Sequence, residues 1–349
     1  MKTFLNYLLT LLILTALAPG VNAQEVPEKN INVVQVASKK LDEASKKVYI
    51  KNFKVFYQMI AEAEKTSRGG RQIGGGSYTG DATARLAVGV EGVDPEDLQQ
   101  MTDKLYKEYV ARLESLGFEI ISSEDLIENE FFQDYELLRG PRINQEQIEG
   151  SLMVIPSGYS YFVKGVNKKG KERTGGFMAG ITGDDGGFGS SLYGPVPKLS
   201  KALDDAMVIE ISLDVPSIYL DPKSNLAGAK VKGGAYLRLQ QGKATYIAGE
   251  SSKPGVAAPD AGFEVTIKKP VMITGVFGEQ NFKSEASKAR TSVPSYGGFF
   301  TVQNTSVNLT NSIKCEAEDY KNQVGGVLSA YLNLTLDKLE IGLQGDKVK

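Results

Sequence analysis

Val48, Ile50, Phe53, Val55 and Tyr57 place apolar, β-branched and aromatic side chains at near-alternating positions, which predicts a strand over residues 48–57. A Gly-rich loop follows, and residues 85–90 read as a second strand. The period then changes. Asp94-Pro95-Glu96-Asp97 has the acids and the early proline of a helix start, and Leu98, Met101, Leu105, Tyr109, Leu113 and Leu116 recur at helical spacing before Gly117. Residues 118–121 form a short apolar strand. Ser122-Ser123-Glu124-Asp125 then has the form of a capping box and predicts a helix running towards Leu138, stopped by Gly140-Pro141. Strand, helix, strand, helix is the order of a mixed sheet with helices packed on it.

Beyond Leu152 strands dominate, at 152–166, 207–220, 229–239, 244–248, 263–277 and 299–309, with one short helix at 198–205. From Glu316 onward Tyr320, Val324, Leu328, Tyr331 and Leu339 predict a closing helix, weakened at Gly325-Gly326 by roughly 1 kcal/mol per glycine. The fold class is α+β: a mixed sheet with helices, then a strand-rich C-terminal half and a closing helix. Residues 24–47 are polar and read as a mobile arm. Residues 48–250 read as an α+β domain with a Gly-rich insertion at 159–194. Residues 251–349 read as a β-rich segment with the helix, and the Ser-, Pro- and Gly-rich stretch 250–262 marks the boundary.

Residues 1–23 combine a basic start at Lys2, an apolar run over 4–17, Pro19-Gly20, and small residues Val21 and Ala23 before Gln24. This is the pattern of a secretory signal peptide and predicts a mature chain from Gln24. The 349-residue chain has 40 positive against 42 negative residues, and removing 1–23 takes only Lys2 and leaves 39 against 42, so nucleic acid is a poor partner. The sequence has no His and one cysteine, Cys315, which excludes Ser-His and Cys-His catalysis, His or Cys-cluster zinc sites, and internal disulfides. Cys315 reads as a buried small hydrophobe or a bridge to another chain.

No motif names a reaction, and the sequence assigns no catalytic, cofactor-binding or metal-binding residue. Gly165 to Lys171 follows a phosphate-binding loop until Glu172 replaces the magnesium-binding Ser or Thr; the segment reads better as a hairpin turn. Asp184-Asp185, in a Gly-rich turn, lacks calcium-loop spacing. Paired carboxylates need no His, so Asp204, Asp205, Glu210 and Asp214 are the candidates for a glycan hydrolase. Residues 159–181 form a strand-turn-strand with aromatic ends, the form of a membrane hairpin or of an ordinary exposed one.

The strand at 48–57, the helix at 98–116 leading to Gly117-Phe118-Glu119-Ile120-Ile121 and Ser122 to Leu126, and the strand-turn-strand at 235–248 together resemble the periplasmic domains of the curli secretion channel family and the amino-terminal domain of TolB-type envelope proteins. Curli-channel proteins carry a lipidated Cys directly after the signal, and Gln24 stands at that position here. The resemblance implies an oligomeric envelope protein engaged in secretion or assembly, and it assigns no site residue. The expectation is therefore an exported, non-enzymatic protein of the periplasm, outer membrane or exterior. It would act by self-association or by binding another envelope protein, with outer-membrane contact through 159–181. The competing readings are a carboxylate-dependent glycan hydrolase and a ligand-binding module.

Overall fold

The computed structural model describes residues 24–71, 78–173, 192–225, 228–251, 258–287, 298–302 and 305–349. The expected signal peptide at 1–23, the Asp184-Asp185 turn and the second arm of the expected 159–181 hairpin lie outside the described residues. The fold is α+β. The principal strands are β1 (Ile31–Val36), β2 (Lys47–Gln58), β3 (Ile60–Ser67), β4 (Ala82–Glu91), β5 (Glu119–Ile121), β6 (Arg142–Asn144) and β7 (Ser151–Ile155). They continue with β8 (Met207–Val215), β9 (Ile218–Asn225), β10 (Gly228–Ala235), β11 (Gln241–Ala248), β12 (Ala261–Ile267), β13 (Asn281–Ser287) and β14 (Asn311–Lys314). The helices used below are α1 (Pro95–Ser115), α2 (Pro195–Ala202) and α3 (Ala317–Leu343).

Eight strands form the central sheet in the order β1-β12-β11-β8-β2-β7-β6, with β5 also paired to β2. The β8–β2 and β5–β2 pairs are parallel and the others antiparallel. Because side chains alternate along a strand, each strand has two faces. Phe53, Val55 and Tyr57 of β2, Ile211 and Leu213 of β8, Tyr246 of β11 and Phe263 and Val265 of β12 are buried and belong to one core with α1 and α3. Tyrosine hydroxyls pin these layers together. Tyr57 meets Thr102 of α1 at 3.0 Å, and Tyr331 of α3 donates to the Val265 carbonyl at 2.8 Å. Tyr246 lies 2.8 Å from both the Tyr109 hydroxyl and the Thr335 hydroxyl.

Past Met59, β2 leads into β3, and past Pro216-Ser217, β8 leads into β9. The sheets β14-β4-β3 and β9-β10-β13 pack face to face beside the central sheet. Ala84, Leu86 and Val88 meet Ala229, Val231 and Ile218 in the same continuous core. Their outer faces carry Glu62, Glu64 and Arg85 on one sheet and Lys232, Lys283 and Glu285 on the other.

The α1 helix is legible to the residue. The Asp94 amide donates to Asp97 Oδ2 at 3.0 Å, and Gly117, at φ 85°, lets the Phe118 amide return to the Leu113 carbonyl. Other expectations are corrected. The helix expected from Ser122 is two single turns, Ser123–Leu126 and Glu130–Phe132, followed by a strand, Glu136–Arg139, paired with Ser160–Val163. Ser122 Oγ accepts from the Glu124 amide and Asn129 Oδ1 from the Phe131 amide, so local side-chain bonds restart each turn instead of extending one helix. Phe132, stacked on Phe162 at 4.0 Å between centroids, fixes the segment to the sheet.

The expected arm at 24–47 instead carries β1 and completes the sheet edge, because Ile31 and Val33 find apolar partners in Ile267 and Val265. The expected boundary at 250–262 falls within one sheet, since β11 and β12 on either side of it pair with each other. The expected strand 152–166 is three: Ser151–Ile155, Ser160–Val163 and Gly165–Val166, with Pro156–Gly158 separating the first two. α3 is continuous through Gly325-Gly326. At Gly325 a Cβ would stand 3.4 Å from the Met101 side chain, an ordinary contact distance, and α1 and α3 pack together here.

Replacing Tyr246 with Phe removes the hydroxyl shared by Tyr109 and Thr335. Chemical denaturation is expected to show a loss of about 1–3 kcal/mol without change of fold.

Candidate functional site

The opposite face of the central sheet is polar and nonetheless buried. Alternation brings Asn52 and Lys54 of β2, Glu210, Ser212 and Asp214 of β8, Lys243 and Thr245 of β11, and Glu264 of β12 onto this one face. Lys54 is 1% exposed, Lys243 3%, and Glu210 and Glu264 6% each. A register shift in the β2–β8 pairing, between Ile209 and Glu210, leaves Lys51 unmatched and sends its ammonium to Glu210 as well. At one end of the face, α2 and the turns at 123–132 close over Tyr49, Val208 and Ile247.

Ionised groups survive such burial only when paired and hydrogen-bonded, and each carboxylate meets that condition in its own way. Glu172 is fully buried in the hairpin formed by Gly165–Val166 and Glu172–Arg173. Its Oε1 accepts from the Tyr161 hydroxyl at 2.9 Å, Arg142 Nε at 3.0 Å and Asn144 Nδ2 at 3.2 Å, and its Oε2 lies 3.3 Å from Lys54 Nζ. The Gln147 amide clamps the Glu172 backbone, accepting from its N–H at 2.9 Å and donating to its carbonyl at 3.0 Å. Lys54 also lies 5.1 Å above the Tyr161 ring. Burial pulls the Lys54 ammonium below its ordinary pKa, and the Glu172 carboxylate opposes that shift.

Glu210 is held between Lys51 and Lys243, the latter at 3.7 Å, and Thr245 donates to Glu264 at 3.2 Å. Asn52 donates to Ser212 Oγ at 2.9 Å.

Asp214 differs. Burial pushes its carboxyl up to about 6, with Arg238 acting in the opposite direction. Glu210 and Asp214 share a face but stand four residues apart on one strand, or about 13 Å along it, beyond the roughly 5–10 Å that glycosidase carboxylates span. Asp204 and Asp205 sit past the end of α2 in the left-handed backbone region, at φ 55° and 58°, and Asp205 pairs with Lys201 at 3.3 Å. The four candidate carboxylates therefore do not converge.

The phosphate-loop match folds as the expected hairpin: the Asn167 and Gly170 amides close it on the Lys171 and Asn167 carbonyls. In the first arm of the 159–181 hairpin, Tyr159, Tyr161 and Phe162 are buried at 4%, 1% and 8% exposure, packed against protein. Cys315 is half-buried with Sγ 3.5 Å from the Glu91 carbonyl, and burial pushes its thiol up to about 11, which makes it a poor nucleophile at neutral pH. Among the described residues no group of three or more Asp, Glu or Cys is placed to hold a metal ion. A cavity of about 320 Å³ lies where β2 passes into β3, lined by Gln58, Met59, Glu62, Gln145, Glu149 and Leu152. Gln58 there accepts from the Ser217 and Ile218 amides, and Glu62 is paired with Arg85.

Two outcomes follow. Lys54→Met and Glu172→Gln should each destabilise the fold by about 3–5 kcal/mol, and the double variant by less than their sum, as read by urea denaturation in a double-mutant cycle. Asp214 has its folded pKa raised above the unfolded value, so the stability it contributes is fully present below about pH 4 and is lost as pH rises through about 6. Asp214→Asn should remove that fall, and a stability–pH profile from 4 to 8 checks it.

Compared with known proteins, the chain matches no family model, no curated protein and no solved structure.

Proposed function

We infer that this is an exported, non-enzymatic protein of the cell envelope that works through self-association or partner binding, in a secretion or assembly role. The observation that supports this reading is the closure of its buried charge. A catalytic carboxylate must exchange a proton or a bond with substrate, whereas Glu172 is held by four donors and Glu210 by two lysines. Such groups hold strands and a covering hairpin in place. The signal pattern of residues 1–23 supports export.

Light scattering on the mature chain from Gln24 to Lys349, with and without phospholipid vesicles, tests this. A mass above that of the monomer, or co-migration with vesicles, is the expected result. A strict monomer indifferent to vesicles that cleaves members of a glycan panel overturns it.

A further inference from the structure

We propose that β1 is a self-pairing edge, through which two copies of this chain join their central sheets into one continuous sheet by antiparallel β1–β1 pairing about a two-fold axis at Val33. The proposal rests on the assembly reading above and names its contact.

β1 ends the sheet: it pairs with β12 on one side, and no described strand pairs with its other side. The direction of its backbone groups follows from one bond. The Asn30 carbonyl accepts from the Lys268 amide at 2.7 Å, and Asn30 and Lys268 continue the register that pairs Ile31 with Ile267. In an antiparallel strand the N–H and C=O of one residue point the same way and alternate with those of the next. Asn32, Val34 and Val36 therefore bond to β12, and Ile31, Val33 and Gln35 direct their peptide groups outward.

An isologous pair about an axis perpendicular to the sheet keeps each face on its own side, so a residue must oppose one of the same parity. Centring the axis on Val33 does this and sets the outward groups against one another: Val33 against Val33, and Ile31 against Gln35 in both directions. The Ile31 amide already donates to the Glu28 carbonyl of its own chain, so that register makes about four main-chain hydrogen bonds. On the polar face it sets Asn32 against Val34, covering a valine that is 44% exposed.

The strand's composition selects a second copy as the occupant. Self-pairing sets a strand's charges close to their own copies, and Ile31-Asn32-Val33-Val34-Gln35-Val36 has no charge and no proline. The other described edges of sheets with three or more strands are guarded in the usual way, by charge or proline. β3 carries Glu62, Glu64 and Lys65, and β9 carries Asp221, Pro222 and Lys223. β5, β6, β13 and β14 carry Glu119, Arg142, Lys283 with Glu285, and Lys314.

The test is light scattering over a concentration series on the mature chain, on Val34→Lys, and on Val33→Pro, with circular dichroism to confirm the fold. The proline removes an outward N–H and leaves the β1–β12 ladder intact. A wild-type dimer, with the mass falling by half in both variants, is expected, together with slower amide exchange at Val33 and Gln35 as concentration rises. If Val33→Pro does not fold, Val34→Lys, which alters only an exposed side chain, decides the matter. An oligomer that persists in the folded variants overturns β1 pairing and leaves the assembly reading standing on another surface. A wild-type monomer at every concentration overturns β1 pairing too, and only if it also ignores vesicles does it count against the assembly reading.

Discussion

The cost of taking charge out of water on one face of the central sheet is the constraint that orders this molecule. A lysine such as Lys54, at 1% exposure, would lose several kcal/mol of hydration if it stood alone, and so would Glu172 opposite it. The chain meets this by bringing residues from distant segments to the same point: Arg142 and Asn144 from an edge strand, Tyr161 from the next ribbon, Gln147 from the loop between strands. The 165–173 hairpin is fixed over the sheet because Glu172 must sit where its donors are.

The other face of the same sheet uses ordinary packing, with polar pins. Apolar alternation supplies the area that α1 and α3 cover, at roughly 25 cal/mol per Å² of apolar surface buried. The hydroxyls of Tyr57, Tyr109, Tyr246 and Tyr331 then fix how the helices sit, because each buried hydroxyl must find a partner in one arrangement. One face sets the stability of the layers and the other fixes the insertion above them. The same two demands leave the sheet's outer edge, at β1, uncommitted by either.

What was legible in the sequence was short-range. The 3.6-residue stripe from Leu98 to Leu116, with an acidic proline start and a glycine stop, marked α1, because capping and amphipathicity are local properties. The alternation at 48–57 marked β2 for the same reason. The Ser122 capping box misled: its serine does cap, yet Asn129 caps again a few residues later, and contacts to Tyr49 and Phe162 outweigh a local helix preference. The polar arm reading of 24–47 failed because a six-residue strand needs only a partner, and Val265 and Ile267 lie more than two hundred residues away.

Charged residues at alternate places within apolar strands, as at Lys54, Glu210 and Glu264, were a signal of buried ion pairs present in the sequence. Glu172 carried none, lying in a charged turn and drawing notice only as the residue that spoils a phosphate-loop match. By itself the sequence determined the α+β class, the ends and faces of α1, the existence of β2 and the exclusion of histidine-dependent catalysis, cysteine-cluster metal sites and internal disulfides, since these depend on residue identity and on spacing within one turn or one strand. Tertiary structure alone decided which carboxylate meets which lysine, that Glu210 and Asp214 are held apart along one strand, and which strands end the central sheet among the described residues. Ion pairing, burial and sheet order depend on where segments far apart in the chain come to lie, and no local spacing encodes that.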